Sequence, residues 1–211
     1  VIPTAEFMQG LRAIADEIGA CLIIDEIQAG MGRTGKWFCF EHYGVKPDIM
    51  TIAKGIASGY PLSAIAAPKA LWDKCVPGSM GGTYGGNAVS CAAGVATIDA
   101  MRDEGMLENA ARQGEKLMKF FLEKQKQYPA IGDVRGKGLM FAIECVQPGG
   151  KEPNAAAAKA FIAECIKRKV IVMGASRFGN CVRFLPAINI NDADLDHALG
   201  VFDEAAKAAF A

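Results

Sequence analysis

The sequence predicts an α/β fold, and two short apolar runs that each end in charge carry most of that prediction. Cys21-Leu22-Ile23-Ile24 stops at Asp25-Glu26, and Ile49-Met50-Thr51-Ile52-Ala53 stops at Lys54, with Gly55 next. Each run reads as a short buried strand with a charged residue at its C-terminal end. The third observation is a helical pattern just before the first run. Phe7, Met8, Leu11, Ile14, Ala15 and Ile18 share a face, Thr4 can cap the helix, and Gly19 ends it. Helix followed by strand is the grammar of an alternating α/β domain.

The two strand ends also suggest chemistry. In open α/β sheets, ligands sit at the carboxyl edge of the strands. A carboxylate and an amine there are costly unless each finds a partner. Pyridoxal phosphate uses both, a lysine to hold its aldehyde as a Schiff base and a carboxylate beside its ring nitrogen. A simple ion pair, or two solvated strand ends, would leave the same trace.

Longer stretches carry a resemblance. Leu22-Ile23-Ile24-Asp25-Glu26-Ile27-Gln28-Ala29-Gly30-Met31-Gly32-Arg33-Thr34-Gly35 resembles the cofactor segment of the class III aminotransferases. Pro47-Asp48-Ile49-Met50-Thr51-Ile52-Ala53-Lys54-Gly55 resembles that family's Schiff-base lysine segment, and Gly82-Thr83-Tyr84-Gly85-Gly86-Asn87 its phosphate-contacting turn. Three motifs in family order are far more specific than one. The appearance is closest to 4-aminobutyrate aminotransferases. Ornithine and acetylornithine aminotransferases share the motifs, as do related racemases.

The resemblance implies a pyridoxal-phosphate transferase fold of type I. Residues 1–104 would be the C-terminal part of the large domain, and 105–211 a small α+β C-terminal domain. It implies pyridoxal 5'-phosphate as cofactor, with Lys54 and Asp25 catalytic. Asp25, Gln28, Lys54 and Thr83 would bind the cofactor, Gln28 from its 3-hydroxyl side. Gly55 beside Lys54 would leave room for the ring. Arg183, set between Val182 and Phe184, would grip the carboxylate of glutamate or 2-oxoglutarate, because a planar guanidinium can bind a carboxylate bidentately. A pair with a protein carboxylate is the competing reading of that arginine. Amino-acid and 2-oxo-acid substrates are the expected partners, in a homodimer or a tetramer of dimers where Thr83 reaches the partner subunit's cofactor. Ala29, Met31 and Ala88 depart from the family's usual threonine, phenylalanine and proline.

The same resemblance covers only the C-terminal half of a family member. The glycine-rich phosphate loop and the aromatic residue that stacks on the ring are expected in the other half. The 211 residues are therefore read as a fragment, expected to be inactive and poorly folded alone.

Composition narrows the remaining classes. Lys+Arg and Asp+Glu are both 23, so no field of one sign calls for nucleic acid or an anionic membrane. A hydrophobic content of 51% argues against disorder. No apolar run reaches the length of a spanning helix, and no secretory leader opens the chain. Seven cysteines with no CxxC, several inside apolar runs, suggest small buried hydrophobes in a reducing compartment. Cytoplasm is the default, with a mitochondrial or plastid location equally compatible. Two scattered histidines, His42 and His197, are too few for a His-rich metal site.

The remaining elements follow in order. Residues 37–43 read as a short aromatic helix packed as core, and 44–48 as a turn. Two glycines and a proline forbid a long helix over 55–62. Residues 63–67 are a small strand, and Pro68 starts a short helix. The stretch from Gly78 to Asn87 is loop. Ala88 to Met101 is helical with a face of small residues suited to close packing on another helix. Leu107 to Tyr128 is a charged amphipathic helix with Leu117, Phe120, Phe121 and Leu122 on or near one face. Gly136 and Gly138 mark a bend before a strand over 139–146. Asn154 caps a helix through Lys167, strands follow at 170–172 and 181–185, and Asp192-Ala193-Asp194 opens the last helix.

Overall fold

The computed structural model describes residues 1–79 and 81–210. Met80, part of the glycine-rich loop expected from 78 to 87, lies outside them. The chain divides into two compact units, Val1–Leu107 and Glu108–Ala211.

The first unit opens with α1 (Ala5–Ile18). The Thr4 hydroxyl accepts a hydrogen bond from the Phe7 N–H at 3.2 Å, and Gly19 closes the helix in the left-handed region at φ 67°. Strand β1 (Ile23–Asp25) follows, then a 3₁₀ turn (Cys39–Tyr43), β2 (Ile49–Ile52), a second 3₁₀ turn (Lys54–Ala57) and β3 (Ala64–Ala66). The sheet order is β1-β2-β3, with β1 parallel and β3 antiparallel to β2. Helices α2 (Lys69–Trp72) and α3 (Ala88–Asp103) complete the unit.

Two expectations of burial are corrected here. Strand β1 is not buried, since Ile23 is 59% exposed. The apolar face of α1 is also largely open, with Phe7, Ile14 and Ile18 exposed and only Ala15 buried. The described residues supply no layer to cover these positions. The aromatic 3₁₀ turn does pack. Phe38 and Phe40 stack at 5.7 Å and Tyr43 is buried. The small-residue face of α3 packs on the Lys54–Ala57 turn rather than on another helix. At Gly94 a Cβ would stand 2.8 Å from Leu62 and 3.5 Å from the Ile56 carbonyl.

Helix α1 is tied to the turn before β2 by Asp48. Its Oδ2 accepts from Arg12 at 2.7 Å and from the Leu22 N–H at 2.8 Å. The Leu22 N–H, together with Arg12, holds this carboxyl below the usual range.

The second unit encloses a complete core. Helix α4 (Met106–Gln127) starts at the unit boundary and is followed by β4 (Ile131–Lys137), β5 (Met140–Cys145), α5 (Ala155–Lys167), β6 (Met173–Ala175), β7 (Cys181–Phe184) and α6 (Asp192–Phe210). The antiparallel sheet runs β4-β5-β7-β6. Phe121 of α4 is fully buried at its centre, with ring centroids of Phe141, Phe184 and Phe202 at 5.5, 4.8 and 5.7 Å. Such aromatic pairs add attraction beyond the area they remove from water.

Three expectations shift in this unit. Residues 131–137 form a full strand, where Gly136 had suggested only a bend. A Cβ at Gly136 would come within 2.6 Å of the Phe141 ring, so close side-chain approach explains the glycine. The strand expected at 170–172 lies instead at 173–175, where it pairs with β7. Leu122 is exposed, while Leu117 and Phe121 carry the buried face of α4. The expected Asn154 cap is present, its Oδ1 accepting from the Ala157 N–H at 3.0 Å.

Two outcomes are expected from full-length protein. Gly114→Ala would normally favour a helix by about 1 kcal/mol. In α4 its Cβ would clash with the Gly138 carbonyl oxygen, a backbone atom. Urea denaturation should therefore show a loss of roughly 1–3 kcal/mol, and a gain would refute this packing. Asp48→Asn tests the acid limb. A carboxyl with a lowered folded pKa contributes stability above its unfolded value, about 3.9, and that contribution is lost as pH falls through the folded value. The fall in Tm on acidification should be shallower in the variant, and an unchanged slope would count against the Asp48 linkage.

Candidate functional site

The site is assembled by the pairing of β1 with β2. The register sets Ile23 opposite Ile49, Ile24 opposite Met50 and Asp25 opposite Thr51. Because the strands are parallel, both run out at the same sheet edge. Asp25 is the last residue of β1, and Lys54 opens the 3₁₀ turn just beyond β2. The structure thus brings these two expected residues to one edge, and both are exposed there.

The Asp25 side chain is held on one side only. Its Oδ1 accepts from the Ile27 N–H at 2.9 Å and from the Thr51 hydroxyl at 3.1 Å. Its Oδ2 accepts no hydrogen bond among the described residues. The Asp25-to-Ile27 contact is a local turn that aspartate makes readily. The Thr51 contact crosses to the neighbouring strand.

Lys54 has a left-handed backbone, φ 51°. For a residue with a Cβ this conformation costs of order 1–3 kcal/mol and persists only where the surroundings impose it. The surroundings are visible. The next residue, Gly55, faces Met31, and a Cβ on Gly55 would sit 3.0 Å from the Met31 Cβ. Met31 is buried and is itself left-handed at φ 53°. Gly55 thus lies close against Met31, whose side chain would have to give way to an added Cβ. At the far end of the turn, the Ser58 and Thr97 hydroxyls hydrogen-bond at 3.2 Å and fasten it to α3.

The remaining expected residues are more dispersed. Gln28 is exposed in the turn after β1. Thr83 is exposed in a separate glycine-rich turn, where the Gly85 N–H donates to the Gly82 carbonyl at 3.0 Å. Arg183 belongs to the second unit, half-buried on β7 opposite Ala142 and Met173. It lines a cavity of about 300 Å³ with Val172, Pro186, Ile190 and Phe202.

Two residues that sequence reasoning passed over prove central. Glu26 is only 1% exposed. Its carboxylate accepts from the Cys39 N–H at 3.0 Å and the Phe40 N–H at 2.9 Å, and its own N–H donates to the Thr51 carbonyl at 3.0 Å. Burial pushes its carboxyl above the usual range, against the two backbone donors that lower it. Thr51 is the other. A single hydroxyl inside an otherwise apolar strand was the signal that could have pointed to it.

Burial of the seven cysteines is only partial, and Cys39 is intermediate. Cys145, Cys165 and Cys181 are buried, and burial pushes the thiols of Cys145 and Cys165 up to about 12. Cys21, Cys75 and Cys91 are exposed. Among the described residues, no group of three or more His, Cys, Asp or Glu could hold a metal ion, and no helix is long and apolar enough to cross a membrane.

The donor set at the edge of β1 and β2 fits pyridoxal phosphate. It offers an amine and a carboxylate with one oxygen fixed and the other open, which is what an aldehyde and a protonated ring nitrogen require. Comparison with known proteins agrees. The chain belongs to aminotransferase class III, whose profile matches residues 1–206. These are enzymes of fold type I that depend on pyridoxal 5'-phosphate. The chain is 41% identical over 199 residues to 5-aminovalerate aminotransferase DavT of Pseudomonas putida, covering 94% of this chain and 47% of that protein. It is 39% identical over 204 residues to 4-aminobutyrate aminotransferase GabT of Escherichia coli, covering 94% and 48%. A solved transaminase from the marine bacterium Virgibacillus superimposes with a TM-score of 0.91 at 30% identity, over 98% of this chain and 49% of that one. The chain spans about half the length of the curated relatives it matches.

Glu26 supplies the test of how this edge is held. Glu26→Ala leaves two part-buried N–H groups, Cys39 and Phe40, without an acceptor. The expected loss is roughly 2–4 kcal/mol in the full-length protein, read by thermal or chemical denaturation. The effect should be larger at pH 4 than at pH 8. An acid whose folded pKa is raised contributes its full stability below its unfolded value, about 4.3, and loses part as pH rises through the folded value. A variant as stable as the parent at both would show that Glu26 does not hold the turn.

Proposed function

We propose that the protein containing this chain transfers an amino group from an omega-amino acid, with 4-aminobutyrate as the preferred donor, to 2-oxoglutarate. The observation that carries the proposal is the parallel register of β1 and β2, with Asp25 and Lys54 leaving one sheet edge together. The relatives named above act, by their names, on 4-aminobutyrate and 5-aminovalerate.

When bound, the pyridine ring of the cofactor would accept the electron pair released at the carbon that bears the amine. The chain's own residues then have distinct tasks. Lys54 would hold the cofactor's aldehyde carbon and, once displaced by the donor's amine, move a proton as general base and then acid. Asp25 would set its open oxygen against the ring N–H and stabilise the positive charge there. Gln28 would approach the 3-hydroxyl side. Thr83 would serve the phosphate of the partner subunit's cofactor, in a homodimer or a tetramer of dimers. Arg183 would grip the carboxylate of the 2-oxo acid. The turnover would be ping-pong, with the donor leaving as an aldehyde before the 2-oxo acid enters.

Choice of donor rests on chain length. 4-Aminobutyrate and 5-aminovalerate differ by one methylene, about 0.8 kcal/mol of apolar burial, so that burial alone separates them by only about fourfold. In full-length protein, borohydride reduction and peptide mapping should find a pyridoxyl adduct on Lys54, and Lys54→Ala should lose both adduct and turnover. An adduct elsewhere would overturn the assignment. In a donor screen, 4-aminobutyrate should give the highest kcat/KM against 5-aminovalerate, ornithine, acetylornithine and α-amino acids. A higher value for any of these would reassign the substrate.

A further inference from the structure

We infer that Thr51 is a positioning residue for the proposed transamination, one that aims the open oxygen of Asp25 through a hydrogen bond across the strand pair. The inference rests on the reading of Asp25 as the partner of the ring nitrogen. Its physical basis is the geometry at the end of β1.

Asp25 is exposed, so packing does not fix its side-chain torsions. An exposed carboxylate samples several orientations, and ordering it has an entropic cost that must be met before binding or during it. Here two donors converge on one oxygen, the Ile27 N–H at 2.9 Å and the Thr51 hydroxyl at 3.1 Å. The first comes from the same turn and moves with Asp25. The second comes from β2, so it refers the carboxylate to the strand that leads to Lys54. With Oδ1 saturated from two directions, Oδ2 has a defined heading.

Thr51 is tied to this end of β1 twice. Its carbonyl accepts from the Glu26 N–H at 3.0 Å while its hydroxyl serves Asp25. It also stands opposite Asp25 in the parallel register, three residues ahead of Lys54. The strand itself does not call for a hydroxyl. Met50 and Ile52 flank it, and valine has the same branched shape and a comparable preference for strands. The feature that valine would lack is the donor to Asp25.

The experiment uses full-length protein loaded with cofactor, in the parent, Thr51→Val, Thr51→Ser, Asp25→Ala, and the double variant Thr51→Val with Asp25→Ala. Two quantities are read, kcat and KM per bound cofactor, and the rate of cofactor release into dialysis followed by its absorbance. Thr51→Val should lower kcat about tenfold, the equivalent of one lost orienting hydrogen bond, with donor KM within about twofold and release faster by a similar factor. Thr51→Ser, which keeps the hydroxyl, should restore most of both. The double variant should be no worse than Asp25→Ala alone, because Thr51 acts only through Asp25. A merely structural threonine would lower the Tm and leave kcat per bound cofactor unmoved. Parent-like kcat and release in Thr51→Val, with Asp25→Ala impaired, would overturn the inference and leave the reading of Asp25 standing. Parent-like behaviour of Asp25→Ala would overturn both.

Discussion

The parallel hydrogen bonding of β1 to β2 is the constraint on which the candidate site depends. Asp25 and Lys54 are far apart in sequence, and no local preference brings them together. A parallel pair sends both chains out at the same edge, and the register decides how far each has run. A slip of one residue would remove Thr51 from opposite Asp25 and turn the side chains of one strand to the other face. The register is defended on both sides. Glu26 donates to the Thr51 carbonyl at one end, and Asp48 accepts from the Leu22 N–H at the other.

Strain is stored at the amine and braced from behind. The left-handed backbone of Lys54 is unfavourable on its own, and the same is true of Met31 and Ser58. These three residues belong to one small region. Met31 fills the space against Gly55, Ser58 bonds to α3, and α3 comes close through Gly94. Where α3 lies on the turn that begins with Lys54, the glycine at position 94 leaves room for the Leu62 side chain, which a Cβ would approach to 2.8 Å.

Much of the arrangement was legible in the sequence because it depends on local signals. Thr4, Gly19 and Asn154 announce helix ends by chemistry that needs no tertiary partner. Apolar runs that stop at Asp25 and Lys54 announce strand ends. What was not legible depends on what surrounds an element. The amphipathic face of α1 has the pattern of a buried stripe, yet Phe7, Ile14 and Ile18 are exposed because the described residues provide nothing to pack on them. Gly136 read as a bend because glycine is usually informative about backbone, whereas here it reports the proximity of the Phe141 ring. At the site, Asp25 and Lys54 were named by their charge and position. Thr51 and Glu26 were not, since a lone hydroxyl in an apolar strand does not name its partner, and two adjacent acids do not show which of them is buried.

The adjacent acids Asp25 and Glu26 show how the fold separates two similar groups. Successive residues of an extended chain point to opposite faces. Asp25 turns outward and is exposed, with one oxygen held and one open. Glu26 turns inward, is almost completely buried, and spends both oxygens on the Cys39 and Phe40 backbone. Burial raises the carboxyl pKa of Glu26, which suits a structural clamp that need not present charge to a ligand. The outward acid can then be matched to a cation without also having to hold the chain. One hydrogen-bonded residue on the next strand, Thr51, touches both, with its hydroxyl on the acid that faces out and its carbonyl on the backbone of the acid that faces in. Any force that shifted β2 along β1 would be felt at the open carboxylate and at the clamp together, which makes the strand pair, and no single side chain, the unit that holds the site.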